Sequence, residues 1–184
     1  LGGDIHGGKI ASDNFGKGHL QTASNTTVAR GAKISASGTA GKGGNVVVWS
    51  DNHTKFEGRV SAKGAGAANG GFTEVSSHNL LGYRGHVDLT SARGQVGTLL
   101  LDPYDVAIEN AATAHGHLVG GTFTPSAMGS ILDVNVLESA LSTASVVVES
   151  GSPGTQTGNI NVLAPITWGS DRALTLNAYH SINI

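Results

Sequence analysis

Short apolar runs, each opened by glycine and closed by small polar residues, return along this chain at a nearly fixed distance. Gly44-Asn45-Val46-Val47-Val48-Trp49-Ser50, Gly71-Phe72-Thr73-Glu74-Val75-Ser76-Ser77 and Gly97-Thr98-Leu99-Leu100-Leu101-Asp102-Pro103 are one word repeated at 26 to 27 residues. A second word runs out of phase with it: Ile34-Ser35-Ala36, Val60-Ser61-Ala62 and Val87-Asp88-Leu89 recur at 26 and 27 residues. Phe56-Glu57-Gly58-Arg59-Val60 and Tyr83-Arg84-Gly85-His86-Val87 match at 27. β-Branched and aromatic residues in these runs favour strands. A period of this length marks a stacked repeat architecture.

Over residues 31–108 each period holds about three short strands separated by Gly, Ser or Asn turns. Repetition in one direction predicts parallel pairing between equivalent strands, one coil and about 4.8 Å apart. Val46 then stacks near Phe72 or Thr73, with Leu99 following. Ile34, Val60 and Val87 form a second column. Because parallel crossovers are right-handed, the expected fold is all-β, a right-handed parallel β-helix with one helix-bearing excursion.

The pattern divides the chain into three parts. Residues 1–108 carry the 26–27-residue coils, with weaker strand signals before residue 31. Residues 109–145 are an irregular excursion: the period is lost after Ile108, and the pattern turns helical over 135–143. Asn135 is the expected cap, Glu138 the far side of a capping box, and Val136, Leu137 and Leu141 one face. Residues 146–184 resume as coils. Asn159-Ile160-Asn161-Val162 and Ser181-Ile182-Asn183-Ile184 lie 22 residues apart. About six coils are expected, a rod of about 29 Å at the strand spacing. The opening at Leu1-Gly2-Gly3 falls mid-pattern and the last strand has no cap, so a longer parent protein is expected.

Composition fits a core one coil wide. Of 184 residues 28 are Gly, only 5% are aromatic and 13% are charged, too few large side chains to fill a broad globule. There is no Cys, which excludes disulfides and thiolate metal sites. No apolar run approaches the roughly 18 residues of a membrane span, and no span is expected. Residues 1–100 carry ten Lys or Arg against six Asp or Glu, while 101–184 carry Arg172 alone against seven acids. The bases are spread through the repeats rather than gathered in a stripe, so no nucleic-acid partner is expected.

Few residues invite chemistry. His115-Gly116-His117, in the excursion, is the one close histidine pair and the candidate for zinc or haem, although two histidines alone specify no site. Asp102 and Asp105 flank Pro103-Tyr104, where paired carboxylates suit acid–base work or Ca²⁺ and equally suit a turn that satisfies backbone N–H groups. Phe56 and Tyr83 fall one coil apart, an aromatic ladder that becomes a sugar platform if exposed. The candidate binding residues are therefore Phe56, Tyr83, Asp102, Tyr104 and Asp105. No Gly-x-Ser-x-Gly elbow, Walker loop or dinucleotide fingerprint occurs, so neither an enzyme nor a cofactor is expected.

Taken together, Gly43-Gly44-Asn45-Val46-Val47-Val48-Trp49-Ser50-Asp51, Phe56-Glu57-Gly58, Gly70-Gly71-Phe72-Thr73-Glu74-Val75-Ser76, Gly97-Thr98-Leu99-Leu100-Leu101-Asp102-Pro103-Tyr104-Asp105-Val106 and Gly158-Asn159-Ile160-Asn161-Val162 resemble the filamentous-haemagglutinin-like exoproteins of bacterial two-partner secretion. The likeness covers about residues 30–184. It implies a β-helical shaft segment beyond the secretion domain, secreted to or held at the outer surface of a Gram-negative bacterium. The implied partners are an outer-membrane two-partner-secretion transporter for the parent protein and a host-cell, bacterial or glycan receptor. The implied role is structural and adhesive. The alternatives are a polysaccharide-acting β-helix enzyme, or a haem- or metal-acquisition module.

Overall fold

The computed structural model describes residues 1–8, 21–110, 117–119, 122–124, 129–151 and 157–184, the two three-residue stretches as backbone only. Among the described residues a kinked turn at Ile5–Gly8 precedes the strands. The first coil holds β1 (Asn25–Val28), β2 (Lys33–Ser35) and β3 (Asn45–Val48). The second holds β4 (His53–Phe56), β5 (Arg59–Ser61) and β6 (Phe72–Ser76). The third holds β7 (Leu80–Tyr83), β8 (His86–Asp88) and β9 (Thr98–Asp102). Next come β10 (Val106–Glu109), a hairpin of β11 (His117–Val119) and β12 (Thr122–Thr124), and β13 (Ser130–Asp133). Helix α1 (Val134–Leu141), β14 (Ser145–Glu149), β15 (Asn159–Val162), β16 (Leu174–Asn177) and β17 (Ser181–Asn183) complete the chain.

These strands wind into a parallel β-helix of about five turns. Its first sheet has the order β1-β4-β7-β13-β10-β15-β17, its second β2-β5-β8 and its third β16-β14-β9-β6-β3. Among the described residues the only antiparallel pair is the β11–β12 hairpin. The turn count is about five where about six were expected.

In-register pairing makes the core. Val46, Thr73, Leu99, Val146 and Leu174 form one column of the third sheet, and Val48, Val75, Leu101, Val148 and Leu176 the next inward one. Ile34, Val60 and Val87 stack in the second sheet. In the first sheet Val28, Phe56, Tyr83, Leu132, Ile108 and Val162 stack in that order. The coils pack so closely at their corners that a Cβ on Gly71 would lie 2.1 Å from the Gly44 carbonyl oxygen. That contact explains the glycine which opens each repeat word.

Two features break the simple winding. After β9 the chain does not take the next place in the first sheet. It skips one rung to form β10, passes through the excursion, and returns as β13 into the gap between β7 and β10. Residues 130–133, expected within the excursion, are therefore a core rung. Helix α1 then occupies the place where a second-sheet strand would continue beyond β8. Its apolar positions Val134, Leu137, Ala140 and Leu141 are buried, matching helical spacing rather than alternation. Thr143 Oγ1 donates to the Val87 carbonyl at 2.7 Å, and the Leu89 N–H donates to the Thr143 carbonyl at 3.3 Å. The helix thus covers an edge that would otherwise be open.

The cap differs from the expected one. Asp133, extended at φ −62° and ψ 124°, accepts from the Asn135 N–H and is the N-cap. Asn135 lies inside the helix, and the Glu138 carboxylate accepts from the Thr167 N–H at 2.6 Å instead of closing a capping box. The physical reason is placement: Asp133 ends β13 in extended backbone with a side-chain oxygen that reaches the Asn135 N–H, which is what a cap requires.

The Phe56–Tyr83 ladder forms, with ring centroids 5.4 Å apart and planes within 7°. Both rings are buried. The exposed sugar platform is therefore corrected to a core stack, because the pleat turns this column inward with Val28 and Ile108. The Tyr83 hydroxyl is buried and has no hydrogen-bond partner among the described residues, and burial raises its pKa. Truncating Phe56→Ala is expected to cost about 3–5 kcal/mol in urea unfolding. Tyr83→Phe is expected to be neutral or stabilising, since it removes a desolvated donor; a loss above about 1 kcal/mol would show that the hydroxyl is bonded.

Candidate functional site

Alternation along the third sheet sends every second side chain away from the core. On β9, Leu99 and Leu101 face inward while Leu100 and Asp102 face outward. Stacking then aligns outward residues across rungs. Ser76 pairs with Asp102, Leu101 with Val148, and Glu149 with Asn177, so Ser76, Asp102, Glu149 and Asn177 share a column. Glu74 stands in the neighbouring outward column, level with Val47 and Leu100. Three carboxyl groups thus gather on one face, and like charges on adjacent rungs repel.

The N-terminal segment folds back over this face. The Leu1 amine donates to the Val47 carbonyl at 2.7 Å, and the Trp49 N–H donates to the Leu1 carbonyl at 2.9 Å. These bonds extend the sheet beyond β3. The following turn lies flat on the Trp49 ring, where a Cβ on Gly7 would come 2.6 Å from Cζ2. His6 itself is left-handed, at φ 47° and ψ 32°, an uncommon conformation for a residue with a Cβ.

That turn delivers His6 to the acids. Its backbone N–H donates to both Glu74 oxygens, at 3.1 and 3.2 Å. Its Nδ1 lies 3.3 Å from Asp102 Oδ2. One ligand atom each from His6, Asp102 and Glu149 lie within 4.8 Å of one another, and all three residues are half-buried. Asn177 Nδ2 donates to Glu149 Oε1 at 3.2 Å. Glu74 is fully buried. Burial pushes its carboxyl from 4.5 up to about 7, with Asp102 adding to the rise and His6, its N–H and Ser76 pulling the other way. The cluster has the donors to hold a cation or to pass a proton.

Of the residues expected from sequence, Asp102 alone belongs to this cluster. Asp105 is a turn residue: its Oδ1 accepts from the N–H groups of Gly158 and Asn159, both at 2.7 Å. It locks the corner where the chain skips its rung. Tyr104 is buried, its ring edge-on to His78 at 4.4 Å and its hydroxyl bonded to His78 Nε2. Phe56 and Tyr83 are in the core. His115 lies outside the described residues, and of His117 only its place in β11 is described.

Sequence reasoning missed His6, Glu74 and Glu149. The repeat register did carry a signal for part of the cluster, since it aligns Ser76 with Asp102 at 26 residues. No such period links Asp102 to Glu149 or to His6. Compared with known proteins, the chain matches no family model and no curated protein.

Glu74 makes stability depend on pH. Its folded-state pKa of about 7 lies above its ordinary 4.5. The fold therefore keeps a proton that the unfolded chain has released, so stability is full below 4.5 and falls as pH rises toward 7. The loss is on the order of 3 kcal/mol. Urea unfolding in EDTA at pH 5 and pH 8 should show this fall in the wild type and a much smaller one in Glu74→Gln. Parallel pH profiles for the two proteins would contradict it.

Proposed function

We propose that this chain is a structural and adhesive segment of a large secreted or surface-bound bacterial exoprotein, mediating attachment to host cells, other bacteria or glycans. The observation that supports this reading best is the continuity of the stacked columns. Val48, Val75, Leu101, Val148 and Leu176 run through five consecutive rungs of one sheet. Hydrogen bonds between rungs lie along the axis, so a pull along the rod loads many of them in series with the aliphatic stack. Outward positions and turns are left to vary for recognition.

The resemblance to filamentous-haemagglutinin-like exoproteins adds the route: export through an outer-membrane two-partner-secretion transporter to the surface of a Gram-negative bacterium. Within the rod, the part of residues 109–145 that precedes the β13 rung and α1 is the favoured recognition element. Insertions that leave a solenoid carry binding more often than its coils do, and here the β11–β12 hairpin departs from the parallel winding.

One observation favours a second reading, a polysaccharide-acting enzyme. Carboxyl groups and an imidazole do gather on one parallel-sheet face. The adhesive reading is preferred because Glu74 is wholly buried under the N-terminal turn and the imidazole is held against Asp102.

Immobilised protein should retain a defined set of sugars on a glycan array or bind cultured epithelial cells saturably. Replacing residues 112–127 with a Gly-Ser linker of about ten residues should abolish that binding and leave the urea midpoint little changed. Silence of the intact chain on both surfaces would remove the adhesive reading. Release of new reducing ends from polysaccharides would establish the second.

A further inference from the structure

We propose that His6, Asp102 and Glu149 form a binding site for one divalent first-row transition ion, zinc being the probe of choice, which fastens the N-terminal turn to the third sheet. The site is separate from the histidine pair of the excursion and independent of the adhesive reading.

Donor chemistry selects the class of ion. One imidazole nitrogen with two carboxylate oxygens suits zinc or manganese, whereas calcium and magnesium favour all-oxygen shells. The spacing fits as well. Donors about 2.0–2.1 Å from a tetrahedral ion stand about 3.4 Å from each other. His6 Nδ1 and Asp102 Oδ2 are 3.3 Å apart, and the three donor atoms all fall within 4.8 Å, a distance that small side-chain rotations close.

The set is more than a patch of surface acids, because each donor is oriented by something else. His6 is anchored through its backbone N–H to the buried Glu74 carboxyl and held in left-handed backbone. Glu149 is steadied by Asn177. Asp102 and Glu149 are fixed on neighbouring rungs by the β9–β14 register. Supports of this kind are what orient and tune metal ligands. The ion also answers an electrostatic problem created by the fold. In-register stacking places two half-buried carboxylates on adjacent rungs, and a divalent cation between them turns repulsion into attraction.

Occupancy has a structural consequence. The three ligands come from the N-terminal turn, β9 and β14, and His6 lies 96 residues from Asp102 in sequence. A bound ion would pin the fold-back segment over Trp49 and Glu74. Its removal would leave that segment to the Leu1–Val47, Trp49–Leu1 and His6–Glu74 hydrogen bonds, without unwinding the coils.

The test uses the full chain, stripped with chelator and titrated by calorimetry with zinc, manganese and calcium. Zinc should bind at one ion per chain and more tightly than calcium. Asp102→Asn and Glu149→Gln should each weaken it at least about tenfold, while Glu57→Gln, whose carboxylate pairs with Lys55, leaves it unchanged. The double variant His115→Gln/His117→Gln should still bind. Hydrogen exchange on the wild type gives a readout that needs no substitution: zinc should slow the amides of residues 5–8. The proposal is overturned by absence of zinc binding, by tighter binding of calcium, by affinity indifferent to both carboxylate variants, or by affinity that disappears with the excursion histidines.

Discussion

Everything in this molecule depends on parallel strands stacking in register from one rung to the next. Hydrogen bonds alone would tolerate a slip. The core would not, because moving a strand by one residue turns its whole inward set outward. Val48 over Val75 over Leu101 over Val148 is the result in the third sheet. With a core only one coil wide, Val and Leu suffice as filling, and few aromatic residues are needed. Close rungs in turn demand corners without side chains, which is why glycine opens each repeat word.

The same constraint shapes polar positions. Asn25, Asn52 and Asn79 stand 27 residues apart and join side chain to side chain at 3.3 Å per step. Amides gain from such alignment because each both donates and accepts. Carboxylates do not, so an acid beside an acid requires a counter-ion, a proton or burial of the neutral form. The outward face of the third sheet shows these answers together: His6 against Asp102, an amide on Glu149, and a Glu74 carboxyl raised toward neutrality. The candidate site is therefore a product of stacking and not a decoration on it.

Irregularity enters where the sequence stops repeating. The strand β10 takes its rung ahead of β13, and α1 closes the short second sheet. Asp105 holds the corner of the skipped rung through two backbone N–H groups. Asp102, Tyr104 and Asp105 invited a functional reading because they are conspicuous in sequence. In the fold, Tyr104 and Asp105 serve the corner, and of the three only Asp102 joins the cluster with His6 and Glu149.

The place of the helix was legible from its own apolar face; the rest of what the sequence by itself determined is whatever a translation of 26 or 27 residues carries along: the parallel solenoid, the Ile34–Val60–Val87 column and the Phe56–Tyr83 stack. Each of these is a comparison of one coil with the next, so the spacing alone exposes it. The tertiary structure decided the rest. Inward or outward facing of the aromatic ladder followed from the phase of the pleat in the first sheet. The choice of Asp133 over Asn135 as cap followed from where β13 ends. Asp102 meets Glu149 because β14 takes the rung beside β9 in the third sheet, and meets His6 only because the N-terminal turn folds back over Trp49. No period spans those separations, and the contacts exist only once the coils are wound.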